Sequence, residues 1–176
     1  LNDNDLNLKT IAKGLKALRY GTGERQEDRL VQGEVLACNP FLAFRWKTAD
    51  GHCQDVQTRL VGRYNIDNVL CAAAVGIHFG VTPEDISDAI RSYEPTNSRS
   101  QLLKTAHNTL IVDAYNANPT SMQAALENFE LMEAQKKMII LGEMRELGEA
   151  SKEEHLNILK RLSSMDVQTI WTIGDN

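Results

Sequence analysis

Residues 110–121, LIVDAYNANPTS, put a carboxylate, a phenol and two amides within a dozen positions. Asp113 follows the branched apolar run Leu110, Ile111 and Val112, which is too short for a helix and reads as a buried strand. In open α/β sheets ligands bind at the carboxyl ends of strands, where strand ends and helix amino termini converge, so binding chemistry is expected at Asp113. Tyr115, Asn116 and Asn118 would add donors and acceptors there. The same residues also fit a solvated strand-to-helix connection. Asn118 before Pro119 has the form of an N-cap followed by a proline at the first helical position, which needs no amide hydrogen. Residue types alone leave both readings open.

Two other groups have spacing suited to chemistry. Asn65 and Asn68 are three apart, hence on nearly one face of a first helical turn. Their amides could hydrogen-bond a flat polar ligand such as a purine edge, or Asn65 could cap the helix and Asn68 be solvated. Arg99 lies in the run EPTNSRS, residues 94–100, a proline-containing linker. An arginine at a domain hinge suits a nucleotide phosphate, and a plain surface charge is the alternative. The segment 21–29, GTGERQEDR, invites a phosphate-loop reading that its residues do not support, because no GxxxxGK[ST] occurs in the chain. It is expected to be a charged surface loop. His52, His78, His107 and His155 lack metal-ligand spacing, so no metal site is expected from this chain alone.

These residues need elements to position them. Leu8, Ile11, Ala12 and Leu15 at helical spacing after a polar cluster predict a first helix, then a short strand at 17–20. Residues 30–61 read as strands, with Ala49-Asp50-Gly51 as a hairpin turn and Phe44 and Trp46 on one face. The stretch from Gly62 to Gly80 is a small-residue-rich helix. Thr82, Pro83 and Asp85 start another, with Ile86, Ala89, Ile90 and Tyr93 inward. A domain boundary is placed near Thr96. The remainder reads as strands at 101–104 and 109–112, a helix at 118–133, a strand at 137–141, a helix at 151–162 opened by a Ser151/Glu154 capping box, and a strand at 169–173. Strands alternating with helices imply an α/β fold with a parallel sheet. The loop GEMRELG, 142–148, falls at the ligand-binding edge. His155 is given a packing or surface role.

With 42% hydrophobic and 24% charged residues, the 176-residue chain has the composition of an ordinary globular protein. No apolar run approaches the roughly 20 residues of a membrane helix and no signal pattern opens the chain, so it is expected to be cytoplasmic without membrane insertion. Cys38, Cys53 and Cys71, an odd number without CxxC spacing, read as buried small hydrophobes. A net charge of -5 without a basic stripe argues against nucleic acid as a partner.

Taken together, GRYNIDNVLCAAA, Arg99, VDAYNANPTSM and ILGEMRELGEASKEEH closely resemble the Mur ligase family, and YNANP points to the branch that adds D-Ala-D-Ala. The resemblance implies that residues 1–95 are the C-terminal portion of a P-loop-type central ATPase domain. Residues 96–176 would be the N-terminal portion of a Rossmann-like ligase domain. It implies a monomeric ATP-dependent ligase of peptidoglycan precursor synthesis that joins D-Ala-D-Ala to UDP-MurNAc-tripeptide. ATP phosphorylates the tripeptide carboxylate, because a carboxylate is a poor electrophile, and the dipeptide amine attacks the acyl phosphate, with Mg2+ offsetting charge. By the same resemblance Asn65 and Asn68 lie by the adenine, Arg99 reaches the nucleotide phosphates from the hinge, and Asp113 holds the ribose. Tyr115, Asn116 and Asn118 shape the dipeptide site. The phosphate loop, magnesium-binding glutamate and modified lysine of the family are absent from these residues. The chain is therefore expected to be an internal piece, without catalytic residues of its own and inactive alone. A ligase adding another amino acid, or glutamate to folate, is the second reading. A non-catalytic nucleotide-binding module is the third.

Overall fold

The computed structural model describes residues 1–24, 28–96 and 98–174, which divide into two compact units, Leu1–Pro95 and Thr96–Asn176.

The first unit opens with α1, Leu6–Ile11, capped by Asp5, whose carboxylate accepts from the Asn7 and Leu8 amides. The expected helix is cut short: Gly14 takes φ 84, and Leu6, Leu8, Ile11 and Leu15 all stay exposed. Strand β1, Tyr20–Thr22, lies slightly later than expected. It pairs in parallel with β2, Val31–Cys38, and antiparallel pairing continues through β3, Phe41–Thr48, to β4, Cys53–Val61. The β3–β4 turn is the expected one, with Gly51 at φ 93, a conformation that costs glycine little. Strict alternation along β3 sends Leu42, Phe44 and Trp46 into the core, with Phe44 and Trp46 on one face as expected.

Helices α2, Asn65–His78, and α3, Pro83–Ser92, cover this sheet, α2 against β1 to β3 and α3 against β4. Close approach depends on Gly33 of β2, where a Cβ would stand 2.6 Å from Leu70 of α2. Thr82 caps α3 by accepting from the Asp85 amide, and Pro83 occupies its first position. Its inner face is Ile86, Ser87 and Ile90. Ala89 and Tyr93, expected inward, are exposed, and Ser87 instead takes the Trp46 indole N–H at 3.1 Å. Arg29, expected on a surface loop, is buried: its guanidinium pairs with buried Asp3 at 3.1 Å and donates to the Thr22 carbonyl at 2.9 Å. Residues 25–27 of that segment lie outside the described residues. Cys53 is exposed and Cys38 and Cys71 half-buried, so the cysteines are not sealed in the core.

In the second unit β5, Gln101–Lys104, and β6, Thr109–Val112, form an antiparallel pair. Strands β7, Met138–Gly142, and β8, Thr169–Ile173, form a parallel pair. The expected parallel sheet is represented by β7 and β8, whereas β6 hydrogen-bonds its hairpin neighbour β5. The LIV run is consequently half-buried at best, with Leu110 exposed. Between the pairs run α4, Pro119–Glu130, and α5, Ser151–Ser163. They share a small core of Leu126, Ile139, Met144, Ile158, Leu162 and Met165. The expected Ser151/Glu154 capping box does not form, because a 3-10 turn over Gly148–Ala150 feeds straight into α5 and makes Ser151 its first residue. The unit combines α-helices with a parallel strand pair in a mixed α/β architecture.

Candidate functional site

In the second unit the polar residues collect where β6 ends. Asp113 is exposed at that end, and one of its carboxylate oxygens accepts the Ser100 hydroxyl at 3.2 Å. Ser100 is itself buried. The Ala114 amide donates to the Ser98 carbonyl at 2.8 Å, which ties the segment 98–100 to the strand exit. Ser98 and Ser100 adopt φ 57 and 48, in the left-handed region where a non-glycine residue stores on the order of 1–3 kcal/mol. Between them Arg99 is exposed, and its guanidinium carbon lies 3.7 Å from the centre of the Tyr115 ring. No carboxylate pairs with Arg99 among the described residues, so its N–H donors remain available to an anion.

The rest of the loop is shaped by its own backbone. Asn116 is exposed and its side-chain oxygen accepts from the Ala117 amide at 3.0 Å. Asn118 caps α4 as its sequence indicated, accepting from the Ser121 amide at 2.9 Å, while the Ser121 hydroxyl accepts the Asn118 amide at 3.2 Å. Pro119 sits at the first position. The capping bond uses the Asn118 oxygen and leaves its NH2 for other partners.

The GEMRELG loop after β7 is anchored from behind. His155, half-buried on α5, accepts the Met144 amide on Nε2 at 3.0 Å, and its Nδ1 lies 2.7 Å from the Ser151 carbonyl. This pattern is met by a neutral ring carrying its proton on Nδ1. Met144 fills the core behind the loop, and Glu146 holds φ 63 at its tip. Arg145 pairs with Glu143 at 3.0 Å. His155 therefore has a structural role in holding this loop.

In the first unit Asn65 is not a cap. It lies inside α2, buried, with its Nδ2 donating to the Val61 carbonyl at 2.8 Å and its Oδ1 accepting from Asn68 Nδ2 at 3.0 Å. Both ends of the Asn65 amide are thus committed. Asn68 is exposed, oriented by that bond, with its carbonyl oxygen and second N–H open to solvent. Asp67 beside it is partly buried, and burial pushes its carboxyl above the usual range, offset in part by a hydrogen bond with Asn2. His52 lies 3.3 Å from Glu84 and 3.0 Å from Gln54. Among the described residues no three His, Cys, Asp or Glu side chains gather as a metal site. No described helix is long and apolar enough to cross a membrane.

Ser100, the Arg99–Tyr115 stack and the His155 anchor were not visible in the sequence. Each joins positions 11 to 16 residues apart through a tertiary contact that has no local periodicity to announce it.

Residues 98–176 match the glutamate ligase domain of Mur ligases. The chain is similar to the UDP-N-acetylmuramoyl-tripeptide--D-alanyl-D-alanine ligase of Bacillus subtilis, 37% identical over 117 residues that cover 65% of this chain and 26% of that protein. Among solved structures it is similar to MurF from Acinetobacter baumannii, at a TM-score of 0.82 and 26% identity, covering 99% of this chain and 37% of that one. It also shares the fold of MurF ligase from Thermotoga maritima in complex with ADP, at a TM-score of 0.78 and 20% identity, covering 98% of this chain and 43% of that one. The chain thus spans less than half the length of each of these relatives.

Proposed function

We propose that the chain belongs to the Mur ligase family, whose glutamate ligase domain matches residues 98–176, and that it is part of an ATP-dependent ligase that joins D-Ala-D-Ala to UDP-MurNAc-tripeptide through an acyl phosphate, acting as a monomer in the cytoplasm; its likeness to the Bacillus subtilis and Acinetobacter baumannii ligases supports this. The single observation that carries this reading is the geometry after β6: an exposed carboxylate, Asp113, beside an arginine, Arg99, whose donors are uncommitted among the described residues. A guanidinium pairs bidentately with phosphate oxygens. A carboxylate accepts the hydroxyls of a ribose. Arg99 is accordingly assigned to the nucleotide phosphates and Asp113 to the ribose.

Asn68 is assigned to the base edge, offering one acceptor and one donor. Asn65 acts through it, as the buried residue that sets its orientation. Asn116 and Asn118 are assigned to the dipeptide together with Tyr115, by resemblance to the D-Ala-D-Ala-adding branch. ADP in the Thermotoga maritima structure supports a nucleotide as the ligand class. The described residues supply no cluster fit for Mg2+.

The test is ATP turnover by the protein expressed from its full gene. ADP release is expected only when UDP-MurNAc-tripeptide and D-Ala-D-Ala are both present. Turnover stimulated by a single amino acid or by folate, with D-Ala-D-Ala inert, would replace this reading with another amide ligase.

A further inference from the structure

We propose that residues 98–100 and 113–115 form a clasp in which Tyr115 and Ser100 are positioning residues: the Tyr115 ring presents the Arg99 guanidinium, and the Ser100 hydroxyl the Asp113 carboxylate, to the phosphates and ribose of a nucleoside di- or triphosphate. The inference rests on the nucleotide reading of Arg99 and Asp113 and moves Tyr115 from the dipeptide to the nucleotide.

Three ties join the two segments: the Ala114 amide on the Ser98 carbonyl at 2.8 Å, Ser100 on Asp113 at 3.2 Å, and Arg99 over Tyr115 at 3.7 Å. An exposed arginine is otherwise a floppy chain that loses much rotamer freedom on binding. Stacking restricts it beforehand, so less is lost when an anion arrives. The stack occupies the flat face of the guanidinium and leaves the in-plane N–H donors, the ones that bind phosphate bidentately, at the rim. It also covers one face of the Tyr115 ring, the surface an apolar dipeptide side chain would need. Ser98 and Ser100 in the left-handed region bracket Arg99, and such strain persists only where surrounding contacts over-determine it, as these three do. Buried Ser100 does for Asp113 what the ring does for Arg99, fixing a carboxylate oxygen through its hydroxyl.

The full-length protein is tested as wild type, Tyr115→Leu, Tyr115→Phe, Tyr115→Trp and Ser100→Ala, by calorimetric titration with ADP and by steady-state KM for ATP and for D-Ala-D-Ala. Tyr115→Leu is expected to weaken ADP binding and raise KM for ATP by about threefold to tenfold, the range of one cation–π contact. KM for D-Ala-D-Ala should stay within about twofold. Tyr115→Phe, which keeps the ring, recovers wild-type ADP affinity. Ser100→Ala weakens ADP binding and is not expected to alter KM for the dipeptide. A Phe variant as impaired as Leu, or a Leu variant that raises only the dipeptide KM, would overturn the clasp. Should the Leu variant misfold, the Trp variant decides: ADP affinity at or above wild type supports the stack, and a loss refutes it. The ADP titration also separates this inference from the reaction above. A wild type that binds ADP without D-Ala-D-Ala-dependent turnover removes the reaction and leaves the clasp to the variants, whereas a wild type that fails to bind ADP removes the clasp.

Discussion

The two units hold their polar residues in opposite ways. In Leu1–Pro95 a four-stranded sheet under two helices seals Leu42, Phe44, Trp46 and Leu70 completely, and the amide of Asn65 is tied into that frame at both ends. In Thr96–Asn176 the strands come in pairs, β8 has no buried residue, and Ile140, Trp171 and Ile173 face solvent. Its candidate site residues are held by single contacts between two segments of chain. The contrast teaches that Asn68 inherits its orientation from a packed core, whereas Arg99 and Asp113 depend on individual side-chain contacts.

The largest effect should come from the core of the first unit. Trp46→Ala removes the largest sealed side chain and strands the Ser87 hydroxyl, at a cost of about 3–5 kcal/mol. Leu126→Ala in the second unit should cost about 2–4 kcal/mol, because its smaller core relaxes more readily. Denaturant midpoints of the full-length protein, with hydrogen exchange to localise the loss, check the order. A larger cost for Leu126→Ala would break the comparison.

Next in size is the cap that starts α4. Asn118→Ala should lose about 1 kcal/mol and Asn118→Asp recover most of it, since either oxygen can accept the Ser121 amide. If Asp restores stability while dipeptide-dependent turnover stays low, the Asn118 NH2 has a role beyond capping. If both recover, capping is its whole contribution.

Much of this was legible in the sequence because it was local. The shared face of Phe44 and Trp46, the Asn118-Pro119 helix start and the Thr82-Pro83 start are set by neighbours within a turn or a strand, and each formed where its residues indicated. The failures were tertiary. The Leu8 to Leu15 stripe has helical spacing, yet the helix ended at Ile11 and Leu8, Ile11 and Leu15 stayed exposed. The LIV run looked like a buried strand of a parallel sheet, and pairing with β5 left it half-covered. Arg29 in a charged segment read as surface, since nothing local marked Asp3, 26 positions away, as its buried partner. At the site, the acidic strand end at Asp113 was visible from residue types. The partners that hold Asp113 and Arg99 became visible only when 98–100 met 113–115.

The smallest expected effect concerns the polar edge of the first unit. Burial raises the folded-state pKa of Asp67, so the folded protein holds that proton more tightly than the unfolded chain. Its favourable contribution is therefore full below the ordinary aspartate range and is lost as pH rises through the raised value. At neutral pH the wild type carries a penalty that Asp67→Asn removes. The variant should melt slightly higher than wild type at pH 7, with the two curves converging as pH falls below about 4. A lower melting temperature at pH 7 would show that the hydrogen bond with Asn2 and the first-turn position in α2 outweigh desolvation.

Whether Arg99 and Asp113 grip one nucleotide is decided by a crystal structure of the full-length protein with ADP. The Arg99 guanidinium is expected within hydrogen-bonding distance of a phosphate oxygen while still stacked on Tyr115, and Asp113 on a ribose hydroxyl while still accepting from Ser100. An ADP molecule that is well ordered and touches neither residue would contradict it.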